Sequence, residues 1–133
     1  MSLEVVKQVY EHVANGDMDA IVGHCSEDVE WVVNGPAQLE RSRAFEGPEG
    51  VRDFLDTIDR GWKYRFAAPR EFIDAGDKIV VLGEAEGKER TSEQPFKSRW
   101  CHIFTIQNDK VVSFREFICH WVGDETPPKM SWR

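Results

Sequence analysis

The chain has 133 residues, 41% of them hydrophobic and 31% charged, which suits one soluble domain with one core. Its formal charge of −7, with no run of lysine and arginine, argues against nucleic-acid binding. No apolar run approaches the roughly 20 residues of a membrane helix. The opening Met-Ser-Leu-Glu lacks a basic segment followed by an apolar one, so a cytoplasmic protein is expected.

Leu3, Val6, Val9, Tyr10 and Val13 recur at helical spacing and predict an amphipathic helix over residues 2–14. Asn15-Gly16 stops it, and Asp17 caps a second short helix carrying Ile21, Val22 and Cys25. Residues 28–33 read as a strand, broken by Asn34-Gly35-Pro36. The polar stretch 37–46 reads as a loop. Gly47-Pro48-Glu49-Gly50 opens a third helix, with Val51, Phe54, Leu55 and Ile58 as its buried stripe and Gly61 at its end. Strands are predicted over 62–74, 78–86, 96–107 and 111–122. Ala75-Gly76-Asp77 and Asn108-Asp109 suit hairpin turns, and 87–95 a longer connection. One domain over 1–123 and an irregular tail over 124–133 are expected. Helices first and antiparallel strands after them mean α+β.

The last two strands carry large apolar groups on both faces. Phe114, Glu116, Ile118 and His120 share one face of the final strand, and Cys101 and Ile103 are assigned to the same pocket side. His102 has the opposite parity within its strand and reads as an interface or core histidine. A sheet with one face in water would alternate more cleanly. The outer face is therefore expected to pair with a second copy of the chain.

Five tryptophans are many for this length. Trp31, Trp62 and Phe54 would line a cavity for a flat apolar molecule, or else fill the core. The cysteines Cys25, Cys101 and Cys119 read as free thiols. Cys119 and His120, adjacent on a strand, point to opposite faces and do not make a nucleophilic pair. The four histidines show no metal-ligand spacing, so no metal and no cofactor is expected.

Three segments together resemble the ketosteroid-isomerase and SnoaL-like branch of the nuclear-transport-factor-2-like superfamily. They are VYEHVANGDMDAIVGHCSEDVEWVVNGP, FEGPEGVRDFL and GDKIVVLGEAEGKERTSEQPFKSRWCHIFTIQNDKVVSFREF, and they cover roughly residues 4–118. The resemblance implies a cone: a curved antiparallel sheet and three helices in the N-terminal half (an α+β roll), a pocket between them, and commonly a homodimer. It does not imply one reaction. Ketosteroid isomerases use an aspartate base, a tyrosine and a protonated aspartic acid. In this sequence those positions fall at Val33 or Asn34, at Val9 and at Cys101, so classical steroid isomerisation is not expected. The cyclases' aspartate position falls at Cys119. Similarity to limonene-epoxide-hydrolase-like members places Glu116 at their acidic position, although their Arg-x-Asp partner has no match around Leu82-Gly83-Glu84.

The expected activity is binding of a small hydrophobic molecule, with cofactor-free acid–base chemistry of isomerase, hydrolase or cyclase type. Glu116 is the candidate base or acid, its pKa expected to rise on burial, and His120 or Asn34 assists. Tyr10, Trp31, Asn34, Phe54, Trp62, Cys101, Ile103, Phe114 and Ile118 are the candidate ligand contacts. The alternatives are a non-catalytic carrier using the same pocket and a protein-interaction module using the outer sheet face.

Overall fold

The computed structural model describes residues 2–132; Met1 and Arg133, the outer ends of the expected domain and tail, lie outside the described residues. The elements are α1 (Ser2–Ala14), α2 (Met18–Gly23), β1 (Cys25–Asn34), β2 (Ala44–Glu46), α3 (Gly47–Gly61), β3 (Trp62–Ala75), β4 (Lys78–Glu89), β5 (Pro95–Gln107) and β6 (Lys110–Val122). They form one six-stranded sheet in the order β2-β1-β6-β5-β4-β3. The helices lie against one face of it. This is the expected α+β cone, with one qualification: β1 runs parallel to β6, and the other pairs are antiparallel.

Local signals set most boundaries. Asp17 accepts a hydrogen bond from Ala20 N at 3.1 Å and starts α2. Gly47, at φ +69°, turns the chain from β2 into α3, a conformation that glycine adopts without strain. Asn108 and Asp109 both have positive φ and close a tight hairpin. Three expectations are corrected. Cys25 is the first residue of β1 rather than part of α2. Residues 44–46, read as loop, form an edge strand because Phe45 pairs with Trp31 and is buried. β4 continues to Glu89, which shortens the connection expected over 87–95.

Curvature has visible causes. β3 shifts register between Tyr64 and Phe66 and again between Pro69 and Glu71, and each bulge bends the strand. Gly83 on β4 leaves its place above the sheet to the Trp100 indole, which a side-chain carbon there would overlap. The concave face is filled from above by Val5, Val6 and Val9 of α1 and by Val51 and Phe54 of α3, all buried. From the sheet it receives Trp31, Val81, Trp100, Phe104, Phe114 and Ile118.

Candidate functional site

β5 and β6 pair with His102 opposite Glu116, Trp100 opposite Ile118, Ser98 opposite His120 and Phe104 opposite Phe114. These eight residues share the concave face. The assignment of Cys101 and Ile103 to that face is therefore corrected: both are half-buried on the convex side, and His102 is the inward residue. The reason is a bulge. The register shifts between Thr105 and Ile106, so Thr105 meets Ser113, Ile106 meets Val111, and Val112 is left over. A hairpin without that extra residue would set Cys101 opposite Glu116.

Glu116 is 4% exposed and holds the centre of the site. Its Oε2 lies 2.6 Å from His102 Nε2, and His102 Nδ1 lies 2.6 Å from the Tyr10 hydroxyl. Its Oε1 lies 3.7 Å from Arg41 Nε. Arg41 is also 4% exposed, donates to Tyr64 Oη at 2.7 Å, and stands over the Trp62 ring at 4.9 Å. The Trp100 indole stacks on the His102 ring, with centroids 5.1 Å apart.

The electrostatics decide the proton positions. Burial opposes the Glu116 charge, but Arg41 and His102 together outweigh it, so Glu116 titrates below the ordinary carboxylate value. This corrects the expected upward shift. Burial, supported by Arg41, pulls His102 below its ordinary value against the opposing pull of Glu116. Burial, reinforced by Glu116, pushes Tyr10 well above a free phenol. At neutral pH the carboxylate is charged, the imidazole neutral and the phenol protonated. A carboxylate only accepts. His102 Nε2–H therefore donates to Glu116, and the Tyr10 hydroxyl donates to His102 Nδ1.

His120 does not assist Glu116 in the expected way. Its nearest carboxylate is Glu89, at 3.8 Å, and its ring stacks on Phe96 with centroids 5.1 Å apart. Burial and Arg41 hold it below the ordinary histidine value. Asn34 donates to the Glu116 backbone carbonyl at 3.4 Å, tying β1 to β6 with its side chain exposed. Trp31, Phe54 and Phe114 pack on one another, with Trp31 and Phe114 stacked at 4.0 Å. Trp62, Phe114 and Ile118 are buried in the concave face. Tyr10 is half-buried and touches Phe72 and Phe104 edge-on.

Sequence reasoning missed Arg41, hidden in the stretch read as polar loop, and Tyr64, which anchors it. Recesses of about 490 and 540 Å³ lie at the strand ends around Lys63, Lys88 and Trp121 and under the tail around Arg99 and Pro128. Only Tyr64 and Phe96 link the first of these to the interior cluster. No helix of the described residues is long and apolar enough to cross a membrane.

Comparison with known proteins agrees with this architecture. A nuclear-transport-factor-2-like protein from Burkholderia xenovorans LB400 is 24% identical, with 89% of this chain and 88% of that one covered and a TM-score of 0.79. TerC, co-crystallized with polyporic acid, is 25% identical over 86% of this chain and 88% of its own, with a TM-score of 0.74. A protein of ketosteroid-isomerase-like fold from Catenulispora acidiphila DSM 44928, in complex with trimethylamine, is 13% identical over 87% and 85%, with a TM-score of 0.72. No curated protein matches significantly. The SnoaL-like domain model matches residues 6–114, most of the chain. With that match and the cone in place, the chain belongs to the SnoaL-like domain family.

Proposed function

We propose that this chain binds a small hydrophobic molecule between sheet and helices and moves a proton on it without a cofactor. The observation that carries this reading is the relay of two 2.6 Å hydrogen bonds from a half-buried phenol to a buried carboxylate. Tyr10, the least buried of the three residues, is its outer end. A substrate proton taken up by the Tyr10 oxygen is matched by transfer of the phenolic proton to His102 Nδ1. The imidazolium so formed is stabilised by the Glu116 carboxylate; the reverse sequence returns the proton to another substrate atom. An isomerisation, cyclisation or hydrolysis can use that exchange. Asn34, Trp31, Phe54, Trp62, Phe114 and Ile118 then position the ligand or the strands that hold it. A relative co-crystallized with polyporic acid supports a small-molecule role.

The test is mass spectrometry of molecules that co-purify with the protein, followed by turnover of what is found. Tyr10→Phe and Glu116→Gln should each lower turnover by about 100-fold or more. Undiminished turnover in both variants would remove the relay from the mechanism. A second reading, a non-catalytic carrier, has its own support. Arg41 neutralises Glu116, and both His102 nitrogens are already bonded, so neither group stands ready as a free base. Binding without turnover by the wild type would favour it.

We further propose that the convex face pairs with a second copy in the cytoplasm. Phe117 and Ile73 are 46% and 44% exposed there, beside half-buried Leu82, Cys101 and Ile103. Light scattering that finds only monomer would rule this out.

A further inference from the structure

The two oxygens of Glu116 have different surroundings. Oε2 is bonded to His102. Oε1 and Arg41 Nε have no hydrogen-bond partner among the described residues, although they lie 3.7 Å apart. A charge-assisted pair in direct contact would close to about 2.8 Å. An oxygen set to one side of the pair can lie within hydrogen-bond distance of both atoms. Both side chains are more than nine-tenths buried. Trp62 Nε1, Ser98 Oγ and both His120 nitrogens are buried without a hydrogen bond as well, although His120 Nε2 lies 3.8 Å from Glu89. They are neighbours: Trp62 lies under Arg41, the His120 ring meets Trp62 edge-on at 6.4 Å, and Ser98 faces His120 across the β5–β6 pair. Buried polar atoms are ordinarily bonded. Among the described residues Trp31 Nε1 and Trp100 Nε1 are unpartnered too, but the six atoms on Arg41, Glu116, Trp62, Ser98 and His120 belong to neighbouring side chains and offer bonds to a polar group.

We propose that Arg41 Nε and Glu116 Oε1 form a subsite for the hydroxyl of a neutral, flat molecule, a phenol or an enolised ketone. Its oxygen accepts from Arg41 and its proton is donated to Glu116. This rests on the reading of the interior as a small-molecule site and names the head group that the site takes. Charge selects a neutral group, because Arg41 and Glu116 already cancel. An added carboxylate would face Glu116, and an added ammonium would face Arg41. Hydrogen bonding selects a hydroxyl. An ether or ketone oxygen accepts from Arg41 but leaves Oε1 unpaired in a buried setting. Flatness follows from the Trp62 ring under Arg41, the His120 ring that meets it edge-on and the Phe96 ring stacked on His120.

Isothermal titration of the full chain with 2-naphthol, 2-methoxynaphthalene and 2-naphthoate tests this. The naphthol should bind about tenfold or more tighter than the other two. Arg41→Lys, which keeps the charge and loses Nε, and Glu116→Gln should each abolish the preference. The wild-type Arg41 Nε–H resonance gives a readout that no variant's folding can disturb. It should shift with the naphthol and stay in place with the methyl ether. Equal binding of all three compounds would overturn the hydroxyl subsite while leaving the interior as a small-molecule site. Binding of none would overturn both. A crystal grown with 2-naphthol that shows only a water between Arg41 and Glu116 would also overturn the subsite.

Discussion

The two sides of the Glu116 carboxylate are built in opposite ways. On one side, Tyr10, His102 and Oε2 form a closed chain in which each polar atom has its partner. On the other, Oε1, Arg41 Nε, Trp62 Nε1, Ser98 Oγ and the His120 nitrogens sit buried without a hydrogen bond. A satisfied network fixes side chains and contributes to stability; an unsatisfied one withholds stability until something fills it. The same concave face thus holds a rigid half, in which Trp100 Nε1 alone is unpartnered beside the closed chain, and a receptive half, and Arg41 and Glu116 join them.

The largest effect should come from the joint. Arg41→Met leaves Glu116 charged and buried with only a neutral histidine, and loss of one partner of a buried pair costs about 3–5 kcal/mol. Urea denaturation should show that loss at pH 7. The loss should shrink toward pH 5, because without Arg41 burial dominates and Glu116 can take up a proton instead. A loss under 1 kcal/mol would mean that the pair is not coupled. The rigid half should yield next. Gly83→Ala would drive a methyl into the Trp100 indole that stacks on His102. Overpacking of this kind costs about 1–3 kcal/mol. A lowered melting temperature with a changed tryptophan emission would locate the damage at the stack.

Acid should weaken both halves in two stages. His102 and His120 are held below the ordinary histidine value of about 6.5. The unfolded chain therefore binds more protons than the folded one as pH falls below that value, and stability declines. Each group contributes at most about 1.4 kcal/mol per pH unit. Glu116, held below the ordinary carboxylate value, contributes stability that is present above that value. It is lost as pH falls through the lower folded value. In His102→Gln, the decline in the upper window should lessen by one proton's share while the His120 part remains. An unchanged slope in chemical denaturation series would show that His102 is not held neutral.

How much of this was legible in the sequence divides along a physical line. Periodicity, caps and turn residues reflect interactions between near neighbours, so α1, α3 and the four long strands could be placed within a few residues. The face on which Glu116 lies was also readable, because alternation within one strand is local. The partner across the hairpin was not. It depends on one leftover residue, Val112, which nothing in the sequence marks off from its neighbour Val111. That single residue exchanged Cys101 for His102 opposite Glu116. Arg41 was invisible for a different reason. Its burial is decided by Tyr64, Trp62 and Glu116, which lie 21 or more positions away in the chain. A charged residue in a polar stretch gives no local sign that it will be enclosed.

The smallest effects separate the two halves most cleanly, because the deletions are alike: each removes one hydroxyl from a buried setting. Tyr10→Phe takes away a hydroxyl bonded at 2.6 Å and leaves His102 Nδ1 without its donor, which should cost about 1 kcal/mol. Ser98→Ala takes away a hydroxyl that is 2% exposed as a residue and has no partner among the described residues. The polar oxygen already bears its desolvation penalty in the folded state, so its removal should be neutral within about 0.5 kcal/mol or stabilising. Paired urea denaturation curves would measure both. If Ser98→Ala cost as much as Tyr10→Phe, Ser98 would already be bonded in solution, and the receptive half would be no less satisfied than the rigid one. If Ser98→Ala is neutral alone but weakens 2-naphthol binding, its hydroxyl belongs to the ligand's surroundings, since the energy missing from the fold is then recovered on binding.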